Sequence, residues 1–265
     1  LTVVSTLPYY PASSIQGIDD SWIRENVKNV KFDPDYINEE IIEAARMSTD
    51  KGFQGWGPRH DPDCAAQVTS VEEACDCTPK PGDEKLLAYL YNNKHMTPFE
   101  MAGMVIEVKA PIFVFREWHR HRTQSYNELS ARYTPLPDEN YIPTMDRLFL
   151  AAGTNKQAQG TGKQLHETDA KWFLANLQEV YKMCQQVYEM GLQMGVPKEL
   201  ARLPVPVARY SKMRASANLR NWLQFLTLRT DPAAQWEIRQ YADAVGDLIA
   251  ATFPRTWALF SEGRT

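Results

Sequence analysis

The stretch from Arg116 to Tyr133 constrains this chain more than any other. It reads Arg-Glu-Trp-His-Arg-His-Arg-Thr-Gln-Ser-Tyr-Asn-Glu-Leu-Ser-Ala-Arg-Tyr and contains no lysine. Planar guanidinium forks match phosphate and carboxylate geometry in a way that a point-charge ammonium does not. Trp118, Tyr126, Leu129 and Tyr133 interrupt the charges, so the stretch suits a half-buried site better than a solvated face. Before it, Met104-Val105-Ile106-Glu107-Val108 is β-branched at its centre and predicts a strand. Pro111 then opens a run, Ile112 to Arg122, with the proline in the favoured first turn of a helix. On such a helix Arg116 and Arg120 share one face, and Glu117 and His121 a neighbouring one. The polar Thr123–Arg132 segment is expected to leave it as a loop. The plain alternative is a solvated helix end whose cations complement the dipole.

The rest of the chain supplies a frame for that site. Its 265 residues are 43% hydrophobic and 23% charged, enough for a sizeable core. A net charge of −4 gives no global basic field and speaks against a nucleic-acid module built on Arg116–Arg132. There is no apolar run of about 18 residues, and Leu1–Ser5, a short apolar strand, lacks the basic flank of a signal peptide. The few cysteines do not form a disulfide framework, and a cytoplasmic setting is expected. Helical spacing marks 37–47, 83–94 and 167–193, the last with Phe173, Leu177, Val180, Cys184, Val187 and Leu192 as a core or interface stripe. Val205–Met213 alternates loosely, as a strand would. Residues 51–83 lose all periodicity and are read as an insertion. Its His60, Cys64, Cys75 and Cys77 lack paired knuckle spacing, so no metal is assigned. Gly160-Thr161-Gly162-Lys163 lacks the earlier glycine and the following Ser/Thr of a phosphate loop and is set aside.

Arg120-His121-Arg122 followed by Ser125-Tyr126-Asn127-Glu128-Leu129-Ser130-Ala131-Arg132-Tyr133 resembles the signature of flavin-dependent thymidylate synthases. Three further blocks are similar to the family in the same order: His95-Met96-Thr97-Pro98-Phe99-Glu100, Ala201-Arg202-Leu203-Pro204, and Asn218 to Arg229 with Ala234–Ile238. Together they extend over about residues 37–250. On one helix, Asn218 and Arg229 would lie near one line with Trp222 and Phe225 between them, a stripe suited to a flat ring.

The resemblance implies an α+β fold, a small mixed or antiparallel sheet packed with long helices and not a Rossmann domain, as one catalytic domain over 1–265. It implies reductive methylation of deoxyuridine monophosphate (dUMP), with methylenetetrahydrofolate as carbon donor and NADPH-reduced FAD as hydride source. No cysteine sits in the arginine-rich blocks, which favours a route without a protein thiol. By resemblance Arg229 is the catalytic guanidinium, favouring negative charge on the pyrimidine. Substrate contacts fall to Glu117, Arg120, Ser130, Ala131, Arg132, Arg202 and Arg229. The flavin falls to His95, Thr97, Arg120, His121, Arg122, Glu128, Asn218, Arg220 and Gln224. No Gly-x-Gly-x-x-Gly turn is present, so FAD is not expected in a Rossmann crevice. Glu117 stands where many relatives have glutamine, and a carboxylate beside a phosphate needs a cation of its own. Sites shared between subunits of a homotetramer are also implied.

Overall fold

The computed structural model describes residues 2–7, 34–60, 78–149 and 165–263. Cys64, Cys75, Cys77 and Gly160–Lys163 lie outside them. The elements are β1 (Thr2–Leu7), α1 (Pro34–Arg46), α2 (Asp83–Asn92), β2 (Gly103–Pro111), α3 (Ile112–Trp118), β3 (Ser125–Glu128), α4 (Met145–Phe149), α5 (Glu167–Gln193), α6 (Lys198–Ala201), β4 (Tyr210–Asn218), α7 (Leu219–Arg229), α8 (Trp236–Thr252) and α9 (Pro254–Glu262). The sheet order is β1-β2-β4-β3. Ile112 N–H donates to Arg209 C=O at 3.0 Å, and Leu219 N–H to Ala102 C=O at 2.8 Å, so β2 and β4 run antiparallel. The α+β class expected from the resemblance is what the chain adopts. No helix among the described residues is long and apolar enough to cross a membrane.

The chain forms two compact units, with β2, β4, α7 and α8 each contributing residues to both. One unit comprises residues 1–2, 106–215 and 227–243. Its core gathers Ile106, Val108, Val114, Phe115, Trp118, Tyr188, Met213 and Ile238, all buried. The buried Arg209 donates to Pro137 C=O at 2.6 Å and Gln185 Oε1 at 2.7 Å, so its burial is compensated in part by hydrogen bonds. Trp118 Nε1 donates to Gln124 Oε1 at 3.0 Å, which pins the turn after α3.

The other unit comprises 3–105, 216–226 and 244–265. Ile41, Ile42, Leu87, Phe99, Trp222, Phe225, Ile249 and Phe253 fill its core. The stretch read as an insertion has an ordered base. Arg59 and Lys80 exchange backbone hydrogen bonds at 2.7 Å, and Arg59 also reaches Pro81 C=O at 3.1 and 3.2 Å. Asp83, wholly buried, pairs with Arg46 and accepts the Gln54 N–H at 2.6 Å. Gly82 is required there, because a Cβ would lie 2.2 Å from Gly57 O.

Four local expectations need correction. The helix after Pro111 ends at Trp118, so Arg120 and His121 lie beyond it rather than on its faces. Tyr126 Oη, 3.0 Å from Trp118 O and 2.7 Å from His121 O, shares its one proton between carbonyls that a continuing helix would have used. Within the polar segment expected to be loop, Ser125–Glu128 forms β3, and Leu129 N–H donates to Lys212 C=O at 2.8 Å. The strand expected over 205–213 runs instead from Tyr210 to Asn218. Pro204 and Pro206 cannot donate to a ladder, and Arg209 N–H turns back to Pro206 C=O. Finally, Trp222 and Phe225 are fully buried and Trp222 Nε1 donates to Met104 O at 3.1 Å. They are core, not a ring-stacking stripe.

On α5, Phe173, Val180 and Val187 are about half exposed, and Trp172 and Met183 are 68% and 65% exposed. Leu177, Cys184 and Leu192 of the expected stripe are half-buried, so it is only partly covered within this chain.

Candidate active site

The C-terminal residue of α7, Arg229, is held from three sides. Its Nε donates to His121 Nε2 at 2.8 Å, its Nη1 to Glu117 Oε2 at 3.1 Å, and its Nη2 to the Glu117 carbonyl at 2.8 Å. Five N–H bonds radiate from a guanidinium, and these three partners among the described residues use three of them. His121 accepts at Nε2 and therefore carries its proton on Nδ1 when neutral. Burial, and then the Arg229 charge, lower its pKa to about 4. Burial likewise pushes Tyr126 up to about 12. At neutral pH both of these rings are thus uncharged.

A hollow of about 450 Å³ opens in the same unit. Glu128, Ser130, Ala131, Arg202 and Ser211 form its polar lining, and Leu136 and Val205 are among its apolar groups. That size falls in the range of small-ligand sites. Arg132 lies at 3.2 Å from the Glu199 carboxylate, while Arg202 Nε donates to the Glu199 carbonyl at 3.4 Å. Arg132 N–H also donates to Ser130 Oγ at 3.3 Å. Glu199 thereby gathers two of the arginines expected at the substrate.

Arg116, Arg120 and Arg122 are exposed and form no ion pair with a carboxylate among the described residues. Three such guanidinia on one short segment leave strong donors available to an anion.

In the second unit, His95 stacks on Tyr89 with ring centroids 5.8 Å apart, and Thr97 is exposed at the start of a 3-10 turn, Pro98–Glu100. Arg220 is ion-paired with Glu100. Asn218 Oδ1 accepts the Asn221 N–H at 3.0 Å, capping α7 and leaving its amide NH₂ as a donor. Gln224 is exposed on α7.

The structure therefore joins Arg229 with Glu117 and His121, and Ser130, Ala131 and Glu128 with Arg202. Sequence reasoning missed Tyr126, Glu199, Glu100 and Ser211. Glu100 and Glu199 pair with arginines remote in sequence, Ser211 is set by its place in β4, and Tyr126 closes a turn onto Trp118 and His121 that residue spacing does not show.

A family model described as thymidylate synthase complementing protein matches residues 35–255. The chain is 36% identical over 196 residues to the flavin-dependent thymidylate synthase of Pseudothermotoga lettingae, covering 74% of this chain and 83% of that one. It is 42% identical over 180 residues to that of Thermus thermophilus, covering 68% of this chain and 64% of the relative. Among solved structures it is similar to a UMP/dUMP methylase, PolB from Streptomyces cacaoi, bound with 5-Br dUMP. There the TM-score is 0.65 with 30% identity, and 84% of this chain and 89% of the other are covered.

Proposed function

This chain belongs to the flavin-dependent thymidylate synthase family, and we propose that it methylates dUMP reductively to thymidylate as one catalytic domain. In this reading methylenetetrahydrofolate is the carbon donor, NADPH the reductant, and no protein cysteine attacks the pyrimidine. Cys184, on α5, is not among the groups gathered at either cluster.

The observation that carries the reading is the clamped guanidinium of Arg229. Its position is set by three hydrogen bonds before any ligand arrives, and charge fixed in advance is what stabilises developing negative charge most effectively. We assign Arg229 to the pyrimidine edge, where its guanidinium favours the N3 anion and enriches electron density at C5. Ser130, the Ala131 backbone, Arg132, Arg202 and Arg120 are assigned to the nucleotide, its phosphate above all. Glu117, expected at the substrate, is already engaged; the cation its carboxylate needs is Arg229.

The residues present fit FAD. Arg120 and Arg122 are exposed guanidinia without a carboxylate partner among the described residues, suited to a diphosphate, and His95, Thr97, Asn218, Arg220, Gln224, Glu128 and His121 complete the proposed contact set. When bound and reduced, FAD supplies the hydride. A homotetramer with shared sites is part of the proposal, supported by the exposed apolar face of α5, as is a cytoplasmic setting.

Purified protein should show flavin absorbance that bleaches anaerobically with NADPH, and should form thymidylate from dUMP only with methylenetetrahydrofolate. Arg229→Ala should keep the flavin spectrum and lose thymidylate formation. Unchanged turnover in that variant would refute the central role given to Arg229.

A further inference from the structure

Ser211 lies on β4 at a position whose alternation with exposed Lys212 turns it inward. It is 2% exposed, and its Oγ has no hydrogen-bond partner among the described residues. It also lines the 450 Å³ hollow. A buried hydroxyl left without a partner is destabilising, and native structures rarely retain one without a use. The backbone pairing says what lies near it. Leu129 N–H, just past the end of β3, donates to Lys212 C=O, which brings the segment carrying Ser130 alongside the segment carrying Ser211. Both line the same hollow with Ala131 and Arg202. Ser130 Oγ already accepts the Arg132 N–H, which leaves its proton to be donated elsewhere.

Two hydroxyl-bearing residues and an arginine lining one hollow supply the donor types that recognise a tetrahedral oxyanion. Glu128, in the same lining, suits hydroxyl or ring N–H donors of a ligand instead. We propose that Ser211 is a substrate-contacting residue, its hydroxyl donating a hydrogen bond to the phosphate of a pyrimidine nucleoside monophosphate beside Ser130. The proposal rests on the reading of this hollow as the dUMP site. No motif of the resemblance includes Ser211.

The test is calorimetric titration of the purified full chain, wild type and Ser211→Ala, with dUMP and separately with deoxyuridine. If the wild type does not bind dUMP, the functional reading fails before the variant is measured. Given wild-type binding, Ser211→Ala should weaken dUMP about tenfold or more, the scale of a hydrogen bond to a charged group. Deoxyuridine affinity should not change. Ser211→Thr, which keeps the hydroxyl, should stay within about threefold of wild type. Ligand-free Ser211→Ala should melt at or above the wild-type temperature, because it removes a hydroxyl without a partner. Unchanged dUMP affinity, or a lower ligand-free melting temperature with unchanged affinity, overturns the proposal. So does an equal loss for dUMP and deoxyuridine, which would place the hydroxyl at the sugar or base.

Discussion

Arg229 bonds Glu117 twice, through the carboxylate at 3.1 Å and through the backbone carbonyl at 2.8 Å. The second bond survives any side-chain change at Glu117; the first does not. Glu117→Gln keeps an acceptor at the same reach, whereas Glu117→Ala removes it and leaves the guanidinium held by two bonds instead of three. A hydrogen bond to a charged group contributes about 1.5–3 kcal/mol. Glu117→Ala should therefore lower kcat for thymidylate formation by roughly ten- to a hundredfold, with Glu117→Gln retaining most of it. Equal kcat in Glu117→Ala and wild type would show that the carboxylate does not position Arg229.

His121 makes stability depend on acid pH. Its folded pKa, about 4, lies below the ordinary value of 6.5. As pH falls the unfolded chain takes up this proton first. The stabilising contribution is thus complete above about 6.5 and is lost as pH falls from there through 4. The ceiling on that loss is about 3 kcal/mol. His121→Gln, which can still accept from Arg229 Nε, should show a smaller drop in urea midpoint between pH 7 and 4.5. Parallel drops would exclude His121 as a cause.

Asn218 has two separable tasks. Its Oδ1 caps α7, and its amide NH₂ is a proposed flavin contact. Asn218→Asp keeps the cap and deletes the donor, so it should stay within about 0.5 kcal/mol of wild type in stability while losing flavin content. Asn218→Ala should lose about 1 kcal/mol as well. Denaturant midpoints and the flavin-to-protein absorbance ratio separate the two; full flavin content in Asn218→Asp would assign the residue to capping alone.

The exposed face of α5 should be the surface through which copies assemble. Met183→Glu with Val187→Asp places charge among the exposed apolar side chains of α5. Sedimentation should then report a smaller particle with the helical circular dichroism signal retained. An unchanged particle mass would release α5 from that role.

Helices were the most legible part of the fold. The apolar spacing of residues 167–193 marks α5 to the residue at both ends. Strands were less legible. β4 turns Ser211, Met213, Ala215 and Ala217 inward, and serine, alanine and methionine carry little strand preference of their own. β3 reads as polar loop because its order comes from pairing with β4. The buried stripe of Trp222 and Phe225 was misjudged because helical spacing shows which residues share a face but not what covers it.

By itself the sequence determined the family, the helical frame and the identities of the arginines, histidines and hydroxyls able to handle a nucleotide. Only the tertiary structure decided their partners: Glu117 for Arg229, Glu199 for Arg132, Glu100 for Arg220, and the hollow that Ser211 shares with Ser130. Helical periodicity follows from backbone geometry that repeats every few residues. An ion pair between residues more than a hundred positions apart exists only after packing brings their backbones together, and nothing local encodes it.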